Sequence, residues 1–306
     1  MLNHSCCLFE DFLPSEERCA EVLRELRWGD GVECVRCGSR EVVRNGGYMH
    51  HYQKYMCRGC GRSFNDKTGT IFEYSKMGVR EWLYIARELE RNRSINRISK
   101  ELGRRYKHVM RAAHRVMERV EARRLLERLS GVVEMDEMYI PAGQKGTRCV
   151  SRWPRKRGLK LRGRGIWKKD KPPVVGLLER GGRAILTVAK NMTKRAVDEL
   201  MDLVGAGSVV NTDDFPAYIH LGEDGWGHRV VNHSLGEYAR GGDHVNTVEG
   251  LFQDLRRWLD TFKGVCKRNL RLFVSMFQFN YNHRDLNPMD RFTELLRTML
   301  YTTSVT

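Results

Sequence analysis

The stretch that decides the fold is VVEMDEMYI, Val132–Ile140, a β-branched run that ends in acidic and aromatic residues. Its alternation predicts a strand with Glu134 and Asp136 on one face and Glu137 on the other. Three further strand candidates, PVVGLL, AILTVA and SVVNTD, follow it, with a helical stretch over 193–204 between the last two. The order of these segments predicts a mixed α/β domain over 131–306.

Acidic residues stand at the ends of these strand candidates and on the helix that follows them. Asp213 comes directly after SVVNT, with Asp214 as the neighbouring competitor. Glu249 lies on a predicted helix, and Asn246 is one turn earlier on the same face. Three acids that meet at a sheet edge can hold two divalent ions for phosphodiester chemistry. The alternative for Asp136 is an edge strand with exposed acids.

Two Cys-x-x-Cys pairs, Cys34/Cys37 and Cys57/Cys60, are separated by 19 residues. This spacing is typical of a closed four-cysteine zinc site with a structural role. Glycines at and after the pairs allow tight turns that present the thiolates to one metal. The alternative is two reduced pairs or a thioredoxin-like redox site. Other possible ligands, which the spacing disfavours, are His50, His51, Cys6, Cys7 and Cys19.

The chain before the α/β domain divides into a helical lead-in over 1–30, a β-rich zinc module over 31–73 and a helical module over 74–130. Apolar spacing in the last module predicts three helices with breaks near Asn92 and Gly103. Ser94 is the expected N-cap of the middle helix. The last two helices suit a helix-turn-helix, although charged helix faces are often only solvated. The basic residues on the second of them are Arg104, Arg105, Lys107, His108, Arg111 and Arg115.

The 306 residues carry a formal charge of +16, which favours a polyanionic partner for a globular chain. No apolar stretch is long enough to predict a membrane span, and the N-terminus does not resemble a signal peptide. Nine cysteines, an odd number, favour reduced thiols in the cytosol. Residues 141–171 hold twelve Lys or Arg against one acid and predict a flexible basic loop rather than packed structure. Its candidate phosphate contacts include Arg152, Arg155, Lys156 and Arg157.

In this order the motifs resemble one family of insertion-sequence transposases, which joins an N-terminal zinc ribbon to a DDE-type, RNase H-like catalytic domain. Individually most of the matching segments are loose, but their succession over about residues 30–285 is specific. The segments are CVRCGS, CRGCGRSF, TGTIFEYSKMGVREWL, VVEMDEMYI, NTDDFPAYIHL, HVNTVEGLFQDLRRWL and FQFNYNHR.

The resemblance assigns roles to particular residues. Asp136 matches the first acid, and the Thr-Asp-x-x-x-Ala-Tyr pattern selects Asp213 over Asp214. The third position falls on Glu249, with Asn246 in support, and 35 residues separate Glu249 from Asp213. Arg256 stands where the family tends to carry a Lys, seven residues beyond the glutamate.

The resemblance also implies a function. It implies a transposase that binds terminal inverted repeats and target DNA, with structural Zn²⁺ and catalytic Mg²⁺ or Mn²⁺. We expect a homo-oligomer on DNA ends and a cytoplasmic, nucleoid-associated protein without a membrane partner. The alternatives are a DNA-binding regulator that retains only the zinc ribbon and helix-turn-helix activity, and a purely hydrolytic nuclease of the same fold.

Overall fold

The computed structural model describes residues 14–124, 128–143, 163–223, 225–231 and 244–300. The chain forms two compact units, one of Met1–Val120 with Leu286–Thr306 and the other of Glu121–Asp285. No helix among the described residues combines the length and apolar composition needed to cross a membrane.

The first unit begins with helix α1, Glu16–Trp28, whose N-cap Ser15 accepts a hydrogen bond from the Arg18 amide. A small antiparallel sheet follows, in the order β1 (Val42–Tyr48), β2 (Tyr52–Cys57) and β3 (Ser63–Asn65). Its core is small and consists of Cys34, Tyr55, Cys57 and Phe64, with Trp28 packed against it. So small a core indicates that the module needs a further stabilising element.

Three helices complete the middle of this unit: α2 (Val79–Glu90), α3 (Ile95–Glu101) and α4 (Tyr106–Arg124). The predicted breaks are confirmed, because Asn92 and Gly103 both adopt left-handed backbone with a φ of 59°. The Ser94 hydroxyl accepts from the Arg97 amide, as expected of the N-cap of α3. Buried apolar residues recur at helical spacing on all three helices.

The last helix, α9 (Pro288–Leu300), packs with the first unit, whereas the sequence placed it in a domain over 131–306. It contacts α1 and α2. The Arg291 side chain donates to the buried Glu90 carboxylate, and the Arg87 guanidinium donates to the Pro288 carbonyl over 3.0 Å. The unit to which a helix belongs depends on the elements against which its apolar face packs. The order of elements along the chain does not reveal them.

The second unit contains a five-stranded sheet of mixed direction. Its strands are β4 (Val132–Tyr139), β5 (Pro173–Glu179), β6 (Ala184–Val188), β7 (Val209–Asp213) and β8 (Gly227–Val231). The spatial order is β6-β5-β4-β7-β8, with antiparallel pairing from β4 to β6 and parallel pairing from β4 to β8. The predicted mixed α/β, RNase H-like class is confirmed. Strand β8 was not predicted, because it is short and mostly exposed.

Helices cover the sheet. Helix α5, Lys194–Met201, joins the core that contains Val133 and Met135 of β4. Helix α6, His220–Glu223, is a single turn after β7. Helix α7, Asn246–Asp260, contacts β4 and β5, and α8, Lys267–Asn282, contacts β6. The central strand β4 is thus buried between neighbours, which excludes the edge-strand alternative for its acids.

Candidate functional site

The four cysteine thiols form one cluster, in which all four sulfur atoms lie within 4.8 Å of one another. Each pair occupies the same kind of turn: the Gly38 amide donates to the Cys34 carbonyl and the Gly61 amide to the Cys57 carbonyl, both over 2.9 Å. Both glycines have positive φ, 72° and 69°, which other residues adopt only with strain. Two such turns facing each other form a closed tetrahedral set of the kind that holds structural zinc.

The electrostatics of the cluster also fit a metal. Burial opposes ionisation of Cys34, but backbone amides and neighbouring thiols outweigh it and lower the pKa of this thiol to about 7. The Ser39 amide favours ionisation of Cys37, but the thiols of Cys60 and Cys57 outweigh it and raise the pKa of Cys37 to about 12, so the thiols share their protons until a cation replaces them. A thiol that ionises near neutral pH is a ready metal ligand. The other described candidates are not members of the cluster: His50 is exposed in the turn between β1 and β2, His51 Nδ1 lies 2.7 Å from a Glu17 carboxylate oxygen, and Cys19 is buried on α1. Cys6 and Cys7 lie outside the described residues.

A second cluster consists of carboxylates at the sheet edge. One oxygen each from Asp136, Glu137 and Asp213 lies within 4.8 Å of the others. Asp213 is the last residue of β7, and Asp136 lies inside β4, two residues beyond Glu134, the last β4 residue that pairs with β7. Because these two strands are parallel and adjacent, their carboxyl ends meet at the same edge. The topology therefore brings together two acids that are 77 positions apart in the chain.

Helix α7 brings Glu249 to the cleft that Asp136 lines, although Glu249 is not a member of the carboxylate cluster among the described residues. Asp136 and Glu249 both line a cleft of about 390 Å³, and the negative charge of Glu249 contributes to raising the pKa of Asp136. The helix approaches the sheet closely because residue 176, the β5 partner of Asp136, is a glycine. A Cβ at Gly176 would stand 2.9 Å from the Val248 side chain and 3.0 Å from Phe252. A larger residue there would push α7 away from the acids.

Asp136 carries the electrostatic signature of a crowded acidic site. Burial, and then the charges of Glu137, Asp213 and Glu249, raise its pKa from an ordinary 3.8 to about 8. Burial also raises the pKa of Glu137, with Asp213 contributing. Without a cation these groups resist ionising together. Oxygen ligands with this much negative charge fit a hard divalent cation such as Mg²⁺.

Glu137 is the member of this cluster that the sequence analysis did not select. Strand alternation places it on the opposite face from Asp136, but its carboxylate still reaches the edge. The Tyr218 hydroxyl donates to one of its oxygens over 2.5 Å and the Tyr139 hydroxyl to the other over 3.2 Å. Tyr218 belongs to the Thr-Asp-x-x-x-Ala-Tyr pattern and is buried. Because a buried tyrosine hydroxyl usually has a hydrogen-bond partner, this residue was the sequence signal for an acceptor such as Glu137 nearby.

The other residues selected from the sequence are placed less centrally. Arg256 lines the cleft two turns after Glu249. Asn246 is the exposed first residue of α7 and does not line the cleft. Asp214 is half-buried beside Asp213 but is not a member of the carboxylate cluster among the described residues.

The basic positions divide into two groups. Arg105, Lys107 and Arg111 are exposed at the start of α4. The sequence predicts these three residues as DNA contacts. Arg104 is also exposed but makes a two-bond ion pair with Glu81, at 2.6 and 3.2 Å, which reduces its availability to phosphate. The remaining candidates lie outside the described residues: Arg152, Arg155, Lys156 and Arg157.

The described ends of the basic insert are packed, which corrects the prediction of an unpacked loop over 141–171. The Ala142 amide donates to the Asp170 carbonyl over 2.9 Å, and the Asp170 carboxylate pairs with Lys267 at 3.0 Å. Lys171 is buried and lines the cleft, and Arg164 lies 3.7 Å from Glu137. The charge count predicted the basic character of the insert but could not reveal these tertiary partners.

Comparison with known proteins gives two family matches. Residues 128–282 match the ISXO2-like transposase domain, and residues 14–63 match a transposase zinc-ribbon domain. A protein of the transposable element ISH50 from Halobacterium salinarum is 40% identical over 268 residues, which are 86% of this chain and 90% of that one. A transposase-like protein of Haemophilus influenzae is 24% identical over 87 residues, 28% of this chain and 70% of that one.

Two solved structures show weaker likeness. A simian T-cell lymphotropic virus intasome bound to the B56 gamma subunit of PP2A has a TM-score of 0.31 at 14% identity, covering 66% of this chain and 69% of that one. The Mos1 transposase paired-end complex has a TM-score of 0.23 at 12% identity, covering 70% and 77%. At such TM-scores neither likeness carries a conclusion about this chain.

Proposed function

The chain belongs to the IS1595 family of transposases, and from that premise we propose that it binds the terminal inverted repeats of an insertion sequence and catalyses metal-dependent cleavage and transfer of DNA strands. The observation that carries the proposal is the acidic cleft. Asp136 and Asp213 meet on adjacent parallel strands, and Glu249 lines the same cleft as Asp136.

Asp136, Asp213 and Glu249 would hold Mg²⁺ or Mn²⁺. Their oxygen donors and the raised pKa of Asp136 fit a cation that neutralises them. When bound, such an ion supplies activation of the attacking oxygen and stabilisation of the leaving one. Glu137, held by Tyr218 and Tyr139, adds negative charge beside the two aspartates.

The reaction we propose has two steps of phosphoryl transfer. Water first attacks the phosphodiester at the end of the element, which leaves a 5′-phosphate on the flanking DNA and frees a 3′-hydroxyl on the element. That hydroxyl then attacks a phosphodiester of the target DNA, is joined to the target 5′-phosphate and displaces a target 3′-hydroxyl. Arg256, exposed on the wall of the cleft, would hold a phosphate oxygen of the strand being cut.

DNA recognition is assigned to the first unit. The zinc ribbon and the helix-turn-helix of α3 and α4 would read the terminal repeats, with Arg105, Lys107 and Arg111 exposed for phosphate or base contacts. The basic insert would add affinity that does not depend on sequence. Because two ends of one element must be cut together, we propose that at least two copies of the chain act on the DNA.

The direct test is incubation of the protein with DNA carrying the ends of its own element and Mg²⁺, followed by mapping of the products. We expect cleavage at the ends and joining to a target. Asp213→Asn should remove both activities, whereas the matched control Asp214→Asn should retain them. Specific binding without cleavage would favour a regulator, and cleavage without joining would favour a nuclease.

A further inference from the structure

A third acid on β4, Glu134, is completely buried and yet lies outside the carboxylate cluster. Its carboxylate accepts from the Thr247 amide over 3.0 Å, the Val248 amide over 3.2 Å and the Thr247 hydroxyl over 3.0 Å. Arg180 donates to it from two nitrogens, both at 3.3 Å, and His244 Nδ1 lies 3.2 Å away. Burial of a charge is costly unless it is paired and hydrogen-bonded, and Glu134 is both.

These contacts place Glu134 at the N-terminus of α7. The first amides of a helix have no partner inside the helix and are usually satisfied by the side chain of the N-cap residue. Here the N-cap is Val245, which has no side chain that can accept a hydrogen bond. Glu134 supplies that acceptor from the sheet, and its negative charge also suits the positive end of the helix dipole.

The same contacts connect two parts of the proposed metal site. Glu134 is two residues before Asp136 on one face of β4, and the amide that it holds at Val248 directly precedes Glu249. Val248 packs where Gly176 leaves room, opposite Asp136 in the sheet register. A carboxylate on the strand of the first acid thus holds the helix turn that carries the third.

We propose that Glu134 is a positioning residue that fixes the first turn of α7 on β4 and thereby sets the distance of Glu249 from Asp136. The proposal rests on the proposed function, in which these two acids bind one divalent site. Glu134 itself touches neither the metal nor the DNA. Its loss would therefore weaken metal binding by misplacing Glu249 rather than by removing a ligand.

The chain offers a matched control in Glu16. Its carboxylate caps α2 in the other unit, accepting from the Val79 amide over 2.5 Å and the Arg80 amide over 3.1 Å. The N-cap of α2 is Gly78, which likewise lacks a side-chain acceptor. Helix α2 carries none of the acids of the cleft. Glu16→Gln and Glu134→Gln therefore weaken the same kind of cap, because each replaces a charged group with two acceptor oxygens by a neutral amide with one. Only Glu134 holds a helix of the proposed metal site.

The experiment is a titration of the full-length zinc-loaded protein with Mn²⁺, in which free Mn²⁺ is followed by electron paramagnetic resonance. We expect Glu134→Gln to weaken Mn²⁺ binding by about tenfold, as is typical for residues that orient metal ligands. Glu16→Gln should leave the Mn²⁺ affinity unchanged. Hydrogen exchange should accelerate at Thr247 and Val248 in the first variant and at Val79 and Arg80 in the second.

Wild-type Mn²⁺ affinity in a folded Glu134→Gln protein would overturn the proposal, and so would equal weakening in both variants. If Glu134→Gln does not fold, Thr247→Val removes one hydrogen bond to the same carboxylate without changing the side-chain volume much. We expect it to weaken Mn²⁺ binding at least about threefold, a smaller loss than full removal of the orienting group; unchanged affinity would contradict the proposal. A wild-type protein that binds no Mn²⁺ would instead refute the metal-dependent function itself.

Discussion

The thiol cluster and the carboxylate cluster are both sets of metal ligands, but they are built in opposite ways. The four cysteines come from two short turns, each closed by its own backbone hydrogen bond, within residues 34–60. The carboxylates of the second cluster come from two strands, and Glu249, which lines the same cleft as Asp136, comes from a helix that begins 110 positions after Asp136. The first site depends on local geometry, whereas the second depends on the packing of a whole domain.

The two clusters also differ in charge and access. Within the thiol cluster the pKa of Cys34 is lowered to about 7 and that of Cys37 is raised to about 12, whereas in the carboxylate cluster the pKa values of both Asp136 and Glu137 are raised. Four thiolates complete a tetrahedral zinc site and leave no position for a substrate. Asp136 and Glu137 border an open cleft. A closed site of this kind stabilises a fold, and an open one can perform chemistry.

The largest effect is expected at the thiol cluster. Cys34→Ser with Cys57→Ser removes two of four ligands, and the small aromatic core cannot replace the metal. Structural zinc contributes about 10 kcal/mol or more in small domains, so the ribbon should unfold. Elemental analysis should find one zinc in the wild-type chain and none in the variant, with rapid proteolysis of 31–73. Retention of zinc by the double variant would show that other residues bind it.

The next effect concerns the acids. Asp136→Asn, Asp213→Asn and Glu249→Gln should each lower strand cleavage at least about 1000-fold, roughly 4 kcal/mol of barrier, while zinc content and DNA binding persist. Asn246→Ala should cause only a partial loss. Single-turnover cleavage with Mg²⁺ measures this, with Asp214→Asn as control. An essential Asp214 beside a dispensable Asp213 would show that the carboxylate cluster is not the active site.

A smaller effect concerns stability and pH. The raised pKa of Asp136 means that the folded protein keeps a proton that the unfolded chain loses above about pH 4, so stability falls as pH rises towards 8. Asp136→Asn removes this penalty. In buffers without added divalent cations, we expect its Tm to exceed that of the wild type by about 3 °C at pH 8.5 and by less at pH 5.5. The reverse order would contradict the crowding of charge in the cleft.

The smallest effect concerns the basic insert. Replacing Arg152, Arg155, Lys156 and Arg157 with Ala should weaken binding to all DNA sequences alike and reduce the salt slope by about 3 to 4. The preference for the terminal repeat should persist, since we assign sequence recognition to the first unit. Binding measured at several salt concentrations, on repeat and random DNA, tests this. Loss of the preference would show that the insert contacts bases.

The sequence predicted what depends on local pattern. The Cys-x-x-Cys spacing, the Ser94 cap, the breaks at Asn92 and Gly103 and four of the five strands of the large sheet follow from short-range rules. It also placed Asp136 inside the first strand of the α/β domain and Asp213 at the end of a later strand, and predicted that they would meet at one edge of the sheet.

What the sequence did not reveal depends on tertiary partners. Strand alternation assigned Glu137 to the face opposite Asp136, and only the folded structure shows its carboxylate beside that of Asp213. Glu134 looked like one more acid on a strand, because its role requires a helix that begins 112 positions later. The packing of α9 with the first unit has the same explanation, because its own sequence does not identify α1 and α2 as the helices that it contacts.

The most direct test of the distinction between the two clusters is anomalous X-ray diffraction from crystals grown with Mn²⁺ and recorded at both the zinc and manganese edges. We expect zinc only among Cys34, Cys37, Cys57 and Cys60. We expect manganese only in the cleft, in contact with Asp136, Asp213 and Glu249. A cleft without manganese, or zinc bound there by the acids as tightly as by the thiols, would contradict the assignment of an open catalytic metal site.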